Sequence, residues 1–248
     1  MTKLSVNVNK IALLRNARAL DMPDVGRLAG LALQSGASGI TVHPRPDERH
    51  IRKSDVLPLS EVIKQFPNAE FNIEGNPFHQ LMDIIRTIKP HQVTLVPDDI
   101  AASTSEHGWD LATDGARLEP IIQELKSLEI RVSLFMDPVA DQMIVAKELG
   151  ADRIELYTEA YANAYKTNDQ DHVTGKYHDT AVSAAKVGLG INAGHDLNLD
   201  NLSYFLSQVP QVEEVSIGHA LTADALEYGI ENTVQRYLAQ IQKARTPK

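Results

Sequence analysis

Short runs rich in β-branched and aromatic residues alternate along the chain with longer stretches whose apolar residues recur every three or four positions. LSVNV at 4–8 precedes a helical pattern near 23–35, and GITVH at 39–43 precedes another at 54–66. EFNIE at 70–74 is followed by 77–88, and QVTLV at 92–96 by 115–129 after a polar loop. RVSLF at 131–135 leads into 138–149, and RIELY at 153–157 leads through a polar connection toward 177–187. GLGIN at 188–192 and VSIGH at 215–219 complete the strands. The closing helix is read along Leu221, Ala225, Leu226, Ile230, Val234, Tyr237, Leu238 and Ile241, which recur mainly at spacings that share a helical face.

Glycine and proline punctuate this rhythm. Gly36, Gly150 and Gly188 follow amphipathic stretches, while Pro23, Pro77 and Pro138 suit helix starts. Repeated βα units imply parallel strands covered by helices. The pattern predicts a closed (β/α)8 TIM barrel with additional short helical elements, forming one catalytic domain over 1–248. A doubly wound sheet is the rival, since periodicity alone does not show that eight strands close. The polar stretches 97–115 and 158–176, the second with room for a short helix, read as loops covering a site.

Polar residues gather where strands end. Asn7, Asn9 and Lys10 follow the first strand, His43 and Arg45 the second, and Glu74 ends the third. Glu155 lies in the sixth, His195 follows the seventh, and Gly218 and His219 end the eighth. In a barrel the carboxyl ends of all strands converge on one face, so these groups are predicted to share a site. His43 suits proton transfer near neutral pH, with Glu74 as its companion. Arg45 and Arg49 offer directed donors to a phosphate and His50 a hydrogen bond, although Arg49 and His50 also fit a solvated turn. Arg18 is an anion-binding candidate that could equally cover a helix face. Gly194 and Gly218 open backbone amides to an anion, or serve only as turn residues.

Composition narrows the chemistry. With 248 residues, 43% hydrophobic and 23% charged, the chain can bury a large core, and disordered or fibrous classes are disfavoured. The absence of cysteine excludes disulfides, thiolate nucleophiles and cysteine metal sites. A net charge of −9 disfavours broad nucleic-acid binding but leaves room for a locally positive pocket. No membrane-length apolar run occurs and the first residues lack a signal-like stretch, so a cytoplasmic protein is expected. Nucleotide-loop, dinucleotide-fingerprint and HExxH motifs are missing, which favours metal-independent proton transfer. On these residues alone, an isomerase or aldolase acting on another phosphorylated carbonyl compound, or an inactive phosphometabolite-binding or assembly protein, are the alternatives.

The ordered set VNVNKIALLRNAR (6–18), GITVHPRPDERHI (39–51), FNIE (71–74), TLVP (94–97), RVSLF (131–135), IELYTEAYA (154–162), INAGHDL (191–197) and SIGHAL (216–221) resembles the pyridoxine 5′-phosphate synthase family. The resemblance implies a closed barrel with extra helices, a homo-octamer, and no cofactor. It implies condensation of 1-deoxy-D-xylulose 5-phosphate with 3-amino-2-oxopropyl phosphate to pyridoxine 5′-phosphate, phosphate and water. It assigns His43 and Glu74 as proton acceptors, His195 as proton donor and Glu155 as a stabilising group. Asn7 and Arg18 fall to the amino ketone, Asn9, Lys10, Arg45, His50 and Thr104 to the sugar phosphate, and Asp196, Gly218 and His219 to the amino-ketone phosphate. The family commonly has Asp-His at Asn9-Lys10 and Gly at Asp196, departures that point to altered substrate preference or lower activity.

Overall fold

Strand positions alternate between two environments, and the alternation sets the architecture. Leu4 and Val6, Ile40 and Val42, Phe71 and Ile73, and Val93 and Leu95 are buried in the core shared with the helices. The intervening side chains turn the other way and bond one another: Ser5 pairs with Thr41 at 2.7 Å, and the Thr94 hydroxyl donates to Asn72 Oδ1 at 3.2 Å. The apolar core therefore lies between sheet and helices, while part of the barrel's interior is polar.

The computed structural model describes residues 1–100 and 105–245. Its strands are β1 (Lys3–Asn7), β2 (Gly39–Val42), β3 (Glu70–Gly75), β4 (Gln92–Leu95), β5 (Arg131–Met136), β6 (Arg153–Tyr157), β7 (Gly190–Gly194) and β8 (Glu214–Ile217). They pair in parallel in sequence order, and β8 returns to β1 with Val6 opposite Ile217. That last pairing closes the barrel and disposes of the doubly wound alternative. The helices are α1 (Asn9–Asn16), α2 (Val25–Gln34), α3 (Lys53–Ile63), α4 (Leu81–Ile88), α5 (Leu111–Ser127), α6 (Gln142–Glu148), α7 (Glu159–Ala164), α8 (Gln170–Lys186), α9 (Leu202–Gln208), α10 (His219–Tyr228) and α11 (Ile230–Ala244).

Several boundaries differ from the expectation for local reasons. The closing helix is two helices, because Gly229 adopts φ 74° and turns the chain between α10 and α11. Leu226, read as part of the buried face, is 76% exposed. Pro77 opens a turn, and α4 starts only at Leu81. The seventh strand begins at Gly190, two residues later than expected. Gly150 does end its helix as anticipated: at φ 96° its N–H bonds Lys147 O at 3.0 Å, and the next N–H, of Ala151, bonds Ala146 O at 3.1 Å.

Ion pairs tie strands together at their amino ends. Glu70 accepts from Lys3 Nζ at 2.6 Å and from Arg131, joining β1, β3 and β5, and Arg153 donates to Glu213 at 2.9 Å. Burial opposes ionisation of Glu70, but the two cations outweigh it and hold its carboxyl down at about 2. Among the described residues, no helix is long and apolar enough to cross a membrane.

Candidate active site

At the opposite end of the barrel the strand termini surround a cavity of about 530 Å³. β1 and the first turn of α1 contribute Asn7, Asn9 and Lys10, and the stretch after β2 contributes His43, Arg45, Arg49 and His50. Glu74 and Glu155 rise from β3 and β6, His195 and Asp196 follow β7, and Gly218 and His219 lie where β8 enters α10. The fold thus brings together nearly every residue that the sequence singled out.

The two glutamates are almost sealed from water, at 5% and 2% exposure. Asn72 Nδ2 donates to Glu74 Oε1 at 3.5 Å, and the Thr94 hydroxyl reaches Glu155 Oε2 at 3.4 Å. Burial, then the negative charge of Glu155, pushes the Glu74 carboxyl well above its ordinary range. Burial and Glu214 push Glu155 up to about 8. Glu155 is therefore largely protonated near neutrality, Glu74 is biased toward its protonated form, and a cationic group beside them would draw their protons off. The close nesting of Glu155 depends on Gly194, where an added Cβ would stand 2.7 Å from Glu155 Oε1.

His43 is held by its backbone: its N–H donates to Asn9 Oδ1 at 2.9 Å, while Asn9 N–H donates to Asn7 Oδ1 at 3.0 Å. The Asn9 amide therefore positions His43 as well as lining the cavity. Burial, with Arg45 and His195 nearby, lowers His43 to about 3, leaving a neutral ring. His50 Nδ1 accepts the Ile51 N–H at 2.9 Å, so a neutral ring carries its proton on Nε2. His195 packs edge-on to Tyr157 with ring centroids 5.4 Å apart and against Phe135, and burial lowers its basicity also. The Thr158 hydroxyl pins the turn behind it by donating to the Gly194 and His195 carbonyls.

Anion recognition has two supports. Arg45, buried at 3% exposure, donates to Asp98 and to the carbonyl of Asp99 at 2.7 Å. On the other side of β1, the amino end of α10 opens on the cavity through Gly218, where an added Cβ would come within 3.1 Å of Asn7 Cβ. His195 and Asp196 both hold left-handed backbone, φ 67° and 49°. The Asp196 carbonyl accepts from Asn201 Nδ2 at 3.0 Å, and its exposed carboxylate stands at the cavity mouth.

Two assigned residues are not gathered in. Arg18 is exposed beyond the end of α1 and does not line the cavity. Thr104 lies outside the described residues. Conversely, Tyr157, Glu159 and Asp98 were not singled out from sequence, yet the first two line the cavity and Asp98 binds its arginine. Asp98 follows a strand end as His43 does, but in the run PDD nothing distinguishes the inward carboxylate.

A family model described as "Pyridoxal phosphate biosynthesis protein PdxJ" matches residues 4–243. A pyridoxine 5′-phosphate synthase of Albidiferax ferrireducens is 54% identical over 99% of each chain. The chain belongs to the pyridoxine 5′-phosphate synthase family. Another such synthase, of Cytophaga hutchinsonii, is 50% identical over 98% of this chain and 100% of its own. Among solved structures, tryptophan synthase from M. tuberculosis shares 10% identity at a TM-score of 0.66, covering 97% of this chain and 93% of that one, a likeness of fold alone. Asn9, Lys10 and Asp196 all line the cavity, where Asn9 also bonds the His43 backbone.

Proposed function

We propose that this cavity condenses 1-deoxy-D-xylulose 5-phosphate with 3-amino-2-oxopropyl phosphate, giving pyridoxine 5′-phosphate, inorganic phosphate and water. Identity of 54% to a pyridoxine 5′-phosphate synthase across 99% of both chains carries this reading. The cavity supports it: His43, His195, Glu74 and Glu155 line it together with Arg45 and the amino end of α10.

The overall conversion balances without an external oxidant or reductant, so its steps are proton transfers, condensation and elimination. His43 and Glu74 act as proton acceptors at different stages, His195 as donor, and Glu155 stabilises charge during imine formation and ring closure. The raised Glu74 carboxyl fits this role, since the positive charge of the substrate's ammonium favours its carboxylate form. Burial favours the neutral form of His195, and a phosphate dianion beside it would favour the protonated form that donates. Arg45, His50, Asn9, Lys10 and Thr104 serve the sugar phosphate, and Asn7, Asp196, Gly218 and His219 the amino ketone.

Arg18 lies outside the cavity of its own chain, so its assigned contact with the amino ketone requires a neighbouring copy. A homo-octamer of single-domain subunits in the cytoplasm is the state that family resemblance alone favours. Sedimentation of concentrated and diluted protein tests the assembly: a persistent octamer is expected, and a monomer retaining full activity contradicts it.

Incubating the purified protein with both named substrates and identifying products by mass spectrometry tests the reaction. Pyridoxine 5′-phosphate is the expected product. Recovery of an isomerised or cleaved sugar phosphate instead would assign isomerase or aldolase chemistry.

A further inference from the structure

The carboxylate of Asp98 stands between the two groups that flank it. Oδ2 pairs with Arg45 Nη1 and lies 3.5 Å from His43 Nε2, at the outer limit of hydrogen-bond reach. Oδ1 is buried and has no hydrogen-bond partner among the described residues. Asp98 follows β4, whereas His43 and Arg45 follow β2, so the contact crosses β3 between them. Arg45 is held by a carboxylate in the place where an anionic ligand group would bind, and the same carboxylate has unused accepting capacity within a small movement of the imidazole.

We propose that Asp98 is a positioning residue that couples anion binding at Arg45 to the basicity of His43. A phosphate on Arg45 competes with Asp98 for the guanidinium; the displaced carboxylate then turns to His43 Nε2. An Nε2–H···carboxylate bond fixes the ring, leaves Nδ1 to accept a proton, and stabilises the imidazolium formed. The base is strengthened when the phosphate is in place, which restrains proton abstraction in a half-filled site. The inference rests on the reading that Arg45 binds substrate phosphate and His43 is a base.

Other charges bear on the pair. His43 also faces Arg49, Asp47, His50 and His195; Asp98 also feels Arg49 and His79, and it acts on Glu74. Phosphate at Arg45 screens that cation's effect on His43 whether or not Asp98 is ionised, so some strengthening of His43 is expected in any variant. The contribution of Asp98 is the difference between proteins with and without its charge.

Full-length protein labelled in its histidine rings, with His43 assigned through His43→Gln, allows titration of His43 by NMR with and without saturating inorganic phosphate. In the wild type, phosphate should raise the His43 midpoint by at least about half a pH unit more than it does in Asp98→Asn. Asp98→Asn should also bind phosphate more tightly, because the competing charge is gone, while its kcat falls and the acidic limb of its kcat profile moves to lower pH. A merely structural role would weaken binding and leave that limb in place. Equal phosphate-induced rises in the two proteins would overturn the coupling. Should the asparagine variant not fold, Asp98→Ser gives the same comparison. If Arg45→Ala binds phosphate as the wild type does, the phosphate assignment itself is wrong and the coupling falls with it; if Arg45→Ala loses phosphate yet Asp98→Asn behaves as wild type, only the coupling fails.

Discussion

Glu155 sits buried in the barrel facing the negative potential of Glu214, with the Thr94 hydroxyl as its one side-chain donor among the described residues, and its carboxyl is pushed up to about 8. A carboxyl raised above its unfolded value contributes stability that is present below about 4.5 and is lost as pH rises through about 8. Glu155→Gln should therefore melt like the wild type at pH 4 and be more stable at pH 9, by on the order of 2 kcal/mol, while turnover drops about a hundredfold. Thermal melts at the two pH values decide it; a variant less stable at pH 9 contradicts the raised carboxyl. Asp196 offers a second test. Glycine suits φ 49° and removes a carboxylate from the mouth of a phosphate site, so Asp196→Gly should lower KM for the amino ketone about threefold without loss of stability. An increased KM would show that the carboxylate assists binding. His43, Glu74 and His195 were legible because each is a polar residue closing or following an apolar strand, and Glu155 because it is a carboxylate inside one. Asp98 was not, since the loop holding it has no periodicity to orient a side chain.

At the scale of elements, strands were read within a residue or two because β-branched runs bounded by turn residues leave little choice. Helix boundaries were less legible. Apolar spacing runs through Gly229 without a break, although the backbone there reverses into φ 74°. The first helix, NKIALLRN, has valine at its N-cap and shows two exposed leucines, Leu13 and Leu14, so its sequence signal is weak. Gly150 tests the reading of a helix end in which glycine is required. An added Cβ there meets only Ile122 Cγ2 at 3.4 Å, an ordinary contact, so the cost of Gly150→Ala is the left-handed backbone. Urea denaturation should show a loss of about 1 kcal/mol with kcat unchanged. No loss would mean that the turn relaxes to another conformation.

Across the whole molecule, stability and chemistry occupy opposite ends of one barrel. Closure itself was not legible from periodicity, because the β1–β8 pairing joins residues more than two hundred positions apart. The charged amino end should tolerate change without affecting catalysis. Glu70 titrates at about 2, below its unfolded value, so its contribution is present above about 4.5 and lost as pH falls through about 2. Glu70→Gln should cost about 1 kcal/mol at pH 7, discounted for partial exposure, and nothing near pH 2, with kcat/KM at neutral pH within about twofold of wild type. A large loss of activity in a folded variant would contradict this separation. The most direct measurement at the other end follows phosphate release and pyridoxine 5′-phosphate formation together, in the wild type and in Glu74→Gln. The two products should appear in equal amounts in the wild type, and both rates should fall at least about a hundredfold in a folded variant that still binds substrate. Phosphate release without pyridoxine 5′-phosphate, or equal turnover in Glu74→Gln, would contradict ring formation at this cavity.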